Sequence, residues 1–224
     1  MYGAHPYGRY ATPESVGALT RADVLAFHAG NYTAQRASLA IVGDLSRAQA
    51  EAVAEELTAG LPSGPGGLAI AVPEMPAAGE QRISHPAAQA HLLLGLPALK
   101  RGDPDFFPLS VGNYSLGGGG FVSRLMKEVR DKRGLAYSVH SYFLPLQQLG
   151  PFQLGLQTKK AQVNDALQVV REVLANFLDQ GPSEAELKAA KQNLIGSFPL
   201  RLDSNRKLLE NVAMIGFYGL PLDY

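Results

Sequence analysis

The chain has 224 residues, and its 20 lysines and arginines are matched by 20 aspartates and glutamates, so the formal net charge is zero and no long run of either sign occurs. That balance excludes a basic nucleic-acid surface or an anionic-membrane patch as an organising feature, and no stretch approaches the ~20 apolar residues of a spanning helix. With 46% apolar residues the chain can bury a sizeable core in one or two domains, and the absence of cysteine removes thiolate metal ligands while fitting an oxidising or a reducing compartment equally.

Taken in chain order, Thr20 with Asp23 forms a capping box that opens a helix to about Tyr32, with Val24, Leu25 and Phe27 facing inward. Ala37 to Val42 reads as a strand closed by Gly43-Asp44, and Ser46 then caps a helix through about Leu57. Residues 61–79, PSGPGGLAIAVPEMPAAG and the leucine before it, turn to proline, glycine and alanine and read as an extended linker between domains. Beyond it, Ala90 to Leu96 is a buried strand, and Gly102-Asp103-Pro104 opens a helix through about Leu116. From Val122 the residues Val122, Leu125, Met126 and Val129 recur at helical spacing, and Gly134 stops that helix. Leu135 to Leu146 and Phe152 to Thr158 form a hairpin. Val163, Ala166, Leu167, Val170, Leu174, Phe177 and Leu178 make a stripe along a helix over residues 161–179. A second capping box, Ser183 with Glu186, starts a helix that Pro199 ends or kinks.

The stretch Leu116 to Val139, LGGGGFVSRLMKEVRDKRGLAYSV, sets Arg130 late in a helix and Tyr137 early in a strand, seven positions on. A guanidinium and a phenol placed so can converge on one patch and offer fixed donors to a carbonyl or a developing oxyanion. On the residues alone a solvated arginine and a half-buried tyrosine are equally ordinary. Gly117, Gly118, Gly119 and Gly120 precede a helix without the following Lys-Ser/Thr or the dinucleotide spacing of a phosphate loop, and read as a tight turn permitting close packing. His85 and His91 lack a third convergent ligand, and His5, in HPYG, reads as part of a structural turn.

The glycine run, the SRL, Glu128-Val129-Arg130 and RGLAYSV together resemble the second-half signature of the pitrilysin/insulinase family of inverzincin zinc metallopeptidases, which includes the mitochondrial processing peptidases. The opening HPYGRYATPESVGALTRADVLAFHAGNYTAQRASLAIVGD resembles the end of that family's first half, and NVAMIGFYGLPLDY a later segment of its second, so the likeness covers nearly the whole chain. It implies two similar α+β halves closing around an extended peptide, the first carrying zinc and the second supplying an Arg/Tyr pair that falls on Arg130 and Tyr137. It also places Gly117, Gly118, Gly119 and Gly120 on the substrate-contacting glycine-rich loop of the processing peptidase's non-zinc subunit.

The family's zinc motif, H-x-x-E-H, is absent: no two of His5, His28, His85, His91 and His140 are three or four positions apart. The resemblance places the zinc residues upstream of Met1 and implies no cofactor in this chain, with zinc in a parent enzyme or a partner bearing H-x-x-E-H. The expected fold is α+β, a mainly antiparallel sheet with helices on one face. Residues 1–60 would be the ending of a preceding half-domain, 61–79 the linker, and 80–224 the Arg/Tyr-bearing half-domain, truncated at its C-terminus. Because the halves are alike, residues 37–42 are expected to fill the open strand position of the sheet containing Leu135 to Thr158. The function implied is the substrate-binding, non-zinc portion of a zinc metalloendopeptidase, inactive alone, with a peptide added as a strand to an exposed sheet edge. The rival is a non-catalytic assembly subunit, like the relatives among the core proteins of the mitochondrial cytochrome bc complex. Periplasm and cytoplasm are both compatible, and the resemblance leans to the former.

Overall fold

All three helix starts read from capping residues are built by those residues. The computed structural model describes residues 1–67 and 69–224; Leu68, within the linker, lies outside the described residues. Thr20 and Asp23 exchange side-chain and backbone hydrogen bonds at the start of their helix, Ser46 does so with Gln49, and Ser183 with Glu186. In order the elements are α1 (Pro13–Gly17), α2 (Arg21–Asn31), α3 (Arg47–Thr58), β1 (Gln89–Leu99), α4 (Phe106–Asn113), β2 (Val139–Phe143), β3 (Gly150–Lys159), α5 (Val163–Gln180), α6 (Glu184–Ser197) and α7 (Asn205–Tyr218). Two π-helical turns, Tyr114–Gly118 and Met126–Asp131, lie between α4 and β2.

Contacts divide the chain into two units: Met1–Tyr7 with Ala71–Ser197, and Gly8–Ile70 with Phe198–Tyr224. The first is an α+β fold. Its sheet is antiparallel throughout, in the order β1-β3-β2. One face carries Leu154, Leu156 and Val139, packed against Ala166, Val169, Val170 and Val173 of α5 and against Leu125, Met126 and Val129 of the second π turn. The other face is open, with Leu93 of β1 81% exposed.

In the second unit α2 and α3 stand where capping and periodicity place them, but residues 37–42 form no strand, and none of the three sheet strands includes them. The expectation that residues 37–42 complete the sheet as a borrowed strand is therefore wrong. Ser38, Leu39 and Ala40 instead line a groove with Val212, Ile215 and Gly216 of α7, where the missing side chain of Gly216 leaves room for the Ser38 hydroxyl. Partial cover against a helix replaces the ladder here, since Ala40, Ile41 and Val42 are half-buried and Leu39 stays exposed, and β-branched content alone does not choose between the two. Val24, Leu25 and Phe27, read as inward, are exposed on α2; an apolar stripe states which face wants cover, not what supplies it.

Two further faces are corrected. Val122 is 53% exposed because it belongs to a 3₁₀ turn, Gly120–Val122, ahead of the winding that buries Leu125. On α5 the buried stripe is Ala166, Val169, Val170 and Val173, which leaves Leu178 exposed.

The two sheet edges differ. Leu144 N–H donates to Pro151 O (2.9 Å), which fixes the alternation of the β2–β3 ladder and turns the amides of Val139 and Ser141 away from β3. Two of the outward groups are taken: Val139 N–H donates to Met126 Sδ (3.5 Å), and the Ser141 carbonyl accepts from Asn113 Nδ2 (2.9 Å). By the same alternation β1 presents His91, Leu93 and Gly95 outward, and no hydrogen bond from another described segment covers them. The closed edge is the one beside Tyr137.

Leu125 and Leu154 are fully buried, so truncating either to alanine should cost about 2–5 kcal/mol in urea unfolding. Leu93→Ala, on the open face, should change stability by no more than about 0.5 kcal/mol. Equal costs at the buried and open positions would contradict this division of the faces.

Candidate functional site

The site is built on the absence of side chains in the glycine run. A Cβ on Gly117 would fall 2.7 Å from Leu125 Cδ1 and 2.8 Å from the Ser141 backbone nitrogen, and nearer still to Ser141 Oγ. Only glycine lets the first π turn lie directly on β2. Gly118 and Gly119 are similarly tight, against Asn113 Nδ2 (2.7 Å) and Tyr114 O (2.6 Å). Gly120 has open space but a φ of +60°, which L-residues avoid. The close approach is locked by Asn113 and Ser141, whose side chains bond each other while Asn113 also binds the Ser141 carbonyl. Packing thus accounts for three glycines and backbone conformation for the fourth.

From Gly120 the chain turns through Phe121 and Val122 into the winding that carries Arg124 to Asp131. Lys132 N–H donates to Lys127 O and Leu135 N–H to Val129 O, wider closures than an α-helix makes. Gly134, at φ +61°, donates its N–H to Arg130 O and turns the chain towards β2. Met126 and Val129 stay buried while Arg130 emerges beside the segment leading into β2.

The structure brings Arg130 and Tyr137 together. The Arg130 guanidinium carbon lies 5.8 Å from the centre of the Tyr137 ring. It also lies 4.9 Å from the Phe121 ring, a neighbour that sequence reasoning missed; the available signal was a large aromatic directly after a glycine that reverses the chain. Arg130 Nη1 donates to Asp131 Oδ1 (2.9 Å). Tyr137 is 85% exposed and no described residue hydrogen-bonds its hydroxyl. The patch therefore offers a guanidinium whose remaining N–H groups have no hydrogen-bond partner among the described residues, a phenolic donor, and two aromatic rings at the surface.

Arg124, six positions earlier, has the opposite fate. It donates through Nε and Nη2 to both carboxylate oxygens of Glu186 (2.8 and 2.7 Å), donates from Nη2 to Gly181 O (2.8 Å), and lies over the Phe177 ring. The pair borders a polar cleft of about 450 Å³ in which Lys127, Glu128 and Glu172 also stand. Its Arg124 partner, together with the Ser183 cap, pulls the Glu186 carboxyl down from its ordinary 4.5 to about 2.

The histidines do not converge. His5 donates from Nε2 to Ala71 O (2.9 Å) and accepts from Tyr7 N–H at Nδ1, in the structural turn expected of it. His85 accepts from Ala87 N–H within its own turn. Among the described residues no three His, Asp or Glu side chains come together in a way that could hold a metal.

Residues 18–194 match the family model described as the peptidase M16 inactive domain. The chain belongs to that family. The pitrilysin/insulinase resemblance is thereby established, and the solved structure of a peptidase M16 inactive domain from Pseudomonas fluorescens carries the same fold: 43% identity over the whole of this chain and 54% of that one, with a TM-score of 0.94. An uncharacterized zinc protease of Mycobacterium leprae is 34% identical over 95% of this chain and 49% of its own length. The β subunit of the mitochondrial-processing peptidase of Blastocladiella emersonii is 27% identical over 89% of this chain and 44% of its own. The chain spans about half the length of the curated relatives it matches.

Three outcomes follow for this M16 domain. Gly117→Ala should cost about 1–3 kcal/mol by overpacking, and Gly120→Ala about 1–2 kcal/mol through its positive φ, both read from denaturant midpoints; a neutral Gly117→Ala would remove the packing account. For Glu186 the folded value lies below the unfolded one, so its ionised form adds stability that is complete above pH about 4.5 and is lost as pH falls towards about 2. Glu186→Gln should therefore flatten the acid limb of the stability profile across that window, measured as urea midpoints at stepped pH.

Proposed function

We propose that this chain is the substrate-binding, zinc-free half of an M16 peptidase, and that Arg130 and Tyr137 hold the backbone of a bound peptide. The observation that carries the reading is their convergence at the surface, with no described residue bonding the Tyr137 hydroxyl or the outer N–H groups of Arg130. A guanidinium and a phenol so placed can donate to one peptide carbonyl, and donate more strongly as that oxygen gains negative charge. The glycine run contributes by staying thin: Gly118 and Gly120 are exposed beside Phe121, so an extended backbone can pass close to the protein there.

Among the described residues nothing fits a zinc site, since the histidines are dispersed and no cluster of three His, Asp or Glu side chains stands in for them. We assign hydrolysis to an H-x-x-E-H-bearing half, on the same parent polypeptide or on a partner, and binding to this chain. A peptide extending β2 towards Arg130 and Tyr137 would have to displace the bonds already made by the outward Val139 N–H and Ser141 carbonyl. The open edge, β1, lies two strand spacings away, roughly 10 Å.

The test combines the chain with its H-x-x-E-H half and follows cleavage of a quenched fluorescent peptide. Tyr137→Phe should lower kcat/KM by about 10²–10³, the usual loss of one oxyanion donor, and Arg130→Ala should act more on KM. Unchanged kcat/KM in both variants would return the pair to an ordinary surface. A stable complex of the two halves without turnover would favour the assembly-subunit reading.

A further inference from the structure

The aromatic ring of Phe121 has no core to fill. It is 67% exposed, it follows a glycine whose positive φ swings the chain outward, and its ring stands 4.9 Å from the Arg130 guanidinium carbon. Arg130 in turn has two ring neighbours, Phe121 and, at 5.8 Å, Tyr137, and Asp131 on one of its terminal nitrogens. Its side chain is only 34% exposed although it sits at the surface, because these neighbours cover it.

We propose that Phe121 is the positioning residue for Arg130: its ring, with that of Tyr137, holds the guanidinium so that its outer N–H edge is presented beside the Tyr137 hydroxyl. The inference deepens the reading of Arg130 and Tyr137 as peptide-binding groups and rests on it. The physical reason is entropic as much as electrostatic. A free arginine side chain spreads over many rotamers and loses them on binding, whereas a guanidinium already held against aromatic faces keeps its donors along its edge and loses less. The ring is well placed for this because nothing else claims it: Gly117 to Gly119 are consumed by packing and Gly120 by the turn, so Phe121 is the first side chain the glycine run delivers to the surface. Asp131 cannot do the same, since a single ion pair at an exposed site fixes one nitrogen without defining the plane.

The experiment has two arms on the intact chain. In the first, arginine-labelled protein is studied by NMR: the Arg130 δ-methylene protons should be displaced by ring currents, the displacement should shrink in Phe121→Leu, and Phe121→Tyr should restore it. Arg130 signals that do not move in Phe121→Leu would overturn the proposal whatever the chain binds. The second arm measures binding of fluorescein-labelled unstructured peptides by anisotropy. Phe121→Leu should weaken binding about 2- to 5-fold, the range of one exposed cation–π contact, and should add nothing in the Arg130→Ala background. Equal losses in both backgrounds would mean that Phe121 touches the peptide itself and does not act through Arg130. If no peptide binds the unaltered chain, the peptide-binding reading fails while the first arm still decides the Phe121–Arg130 relation. Because Phe121 is mostly exposed, the leucine variant leaves the core untouched.

Discussion

The arrangement of the site depends on one close approach, that of the Gly117 backbone to β2 at Ser141. A methyl group there would overlap the serine hydroxyl, its backbone nitrogen and the Leu125 side chain together, and none of the three can retreat, because Leu125 is fully buried and Ser141 is paired in the ladder. Without the side chain, the turn settles on the strand and Asn113 reaches the Ser141 carbonyl and hydroxyl. That one contact closes the sheet edge, satisfies an outward carbonyl that would otherwise be exposed, and fixes where the chain leaves for Phe121.

The π-helical turn that follows the glycine run, Met126–Asp131, answers competing demands on a short segment. Met126 and Val129 must both face the sheet, and Met126 must also place its sulfur on the Val139 amide. A wider turn brings these residues to the core while leaving Arg130, adjacent in sequence to Val129, at the rim. Such single wide turns are rare and concentrate at functional sites, and here the turn has a local cause in packing.

Two arginines six positions apart show how tertiary context divides identical chemistry. Arg124 meets a carboxylate in bidentate geometry, a carbonyl and an aromatic ring, and ties the start of the winding to α6. Arg130 meets two exposed rings and one neighbouring carboxylate, and its other N–H groups have no hydrogen-bond partner among the described residues. The first is a clamp whose worth depends on pH through Glu186. The second stands at the rim beside two exposed rings.

The sequence by itself determined the local signals: the caps at Thr20, Ser46 and Ser183, the hairpin, the strand that became β1, the termination at Gly134, and the pairing of Arg130 with Tyr137 by family resemblance. These are legible because a cap, a turn or a positive φ is decided by a few neighbouring residues. The tertiary structure alone decided what lies across the fold. The groove partner of residues 37–42, the exposure of Val122 and Leu178, the bond from Asn113 to Ser141, the clamp of Arg124 by Glu186, and the place of Phe121 over Arg130 all join residues whose proximity depends on how elements pack. Periodicity can say that a face is apolar, and composition that a residue is a donor; only the packed chain says which neighbour covers the face and which donor is left free.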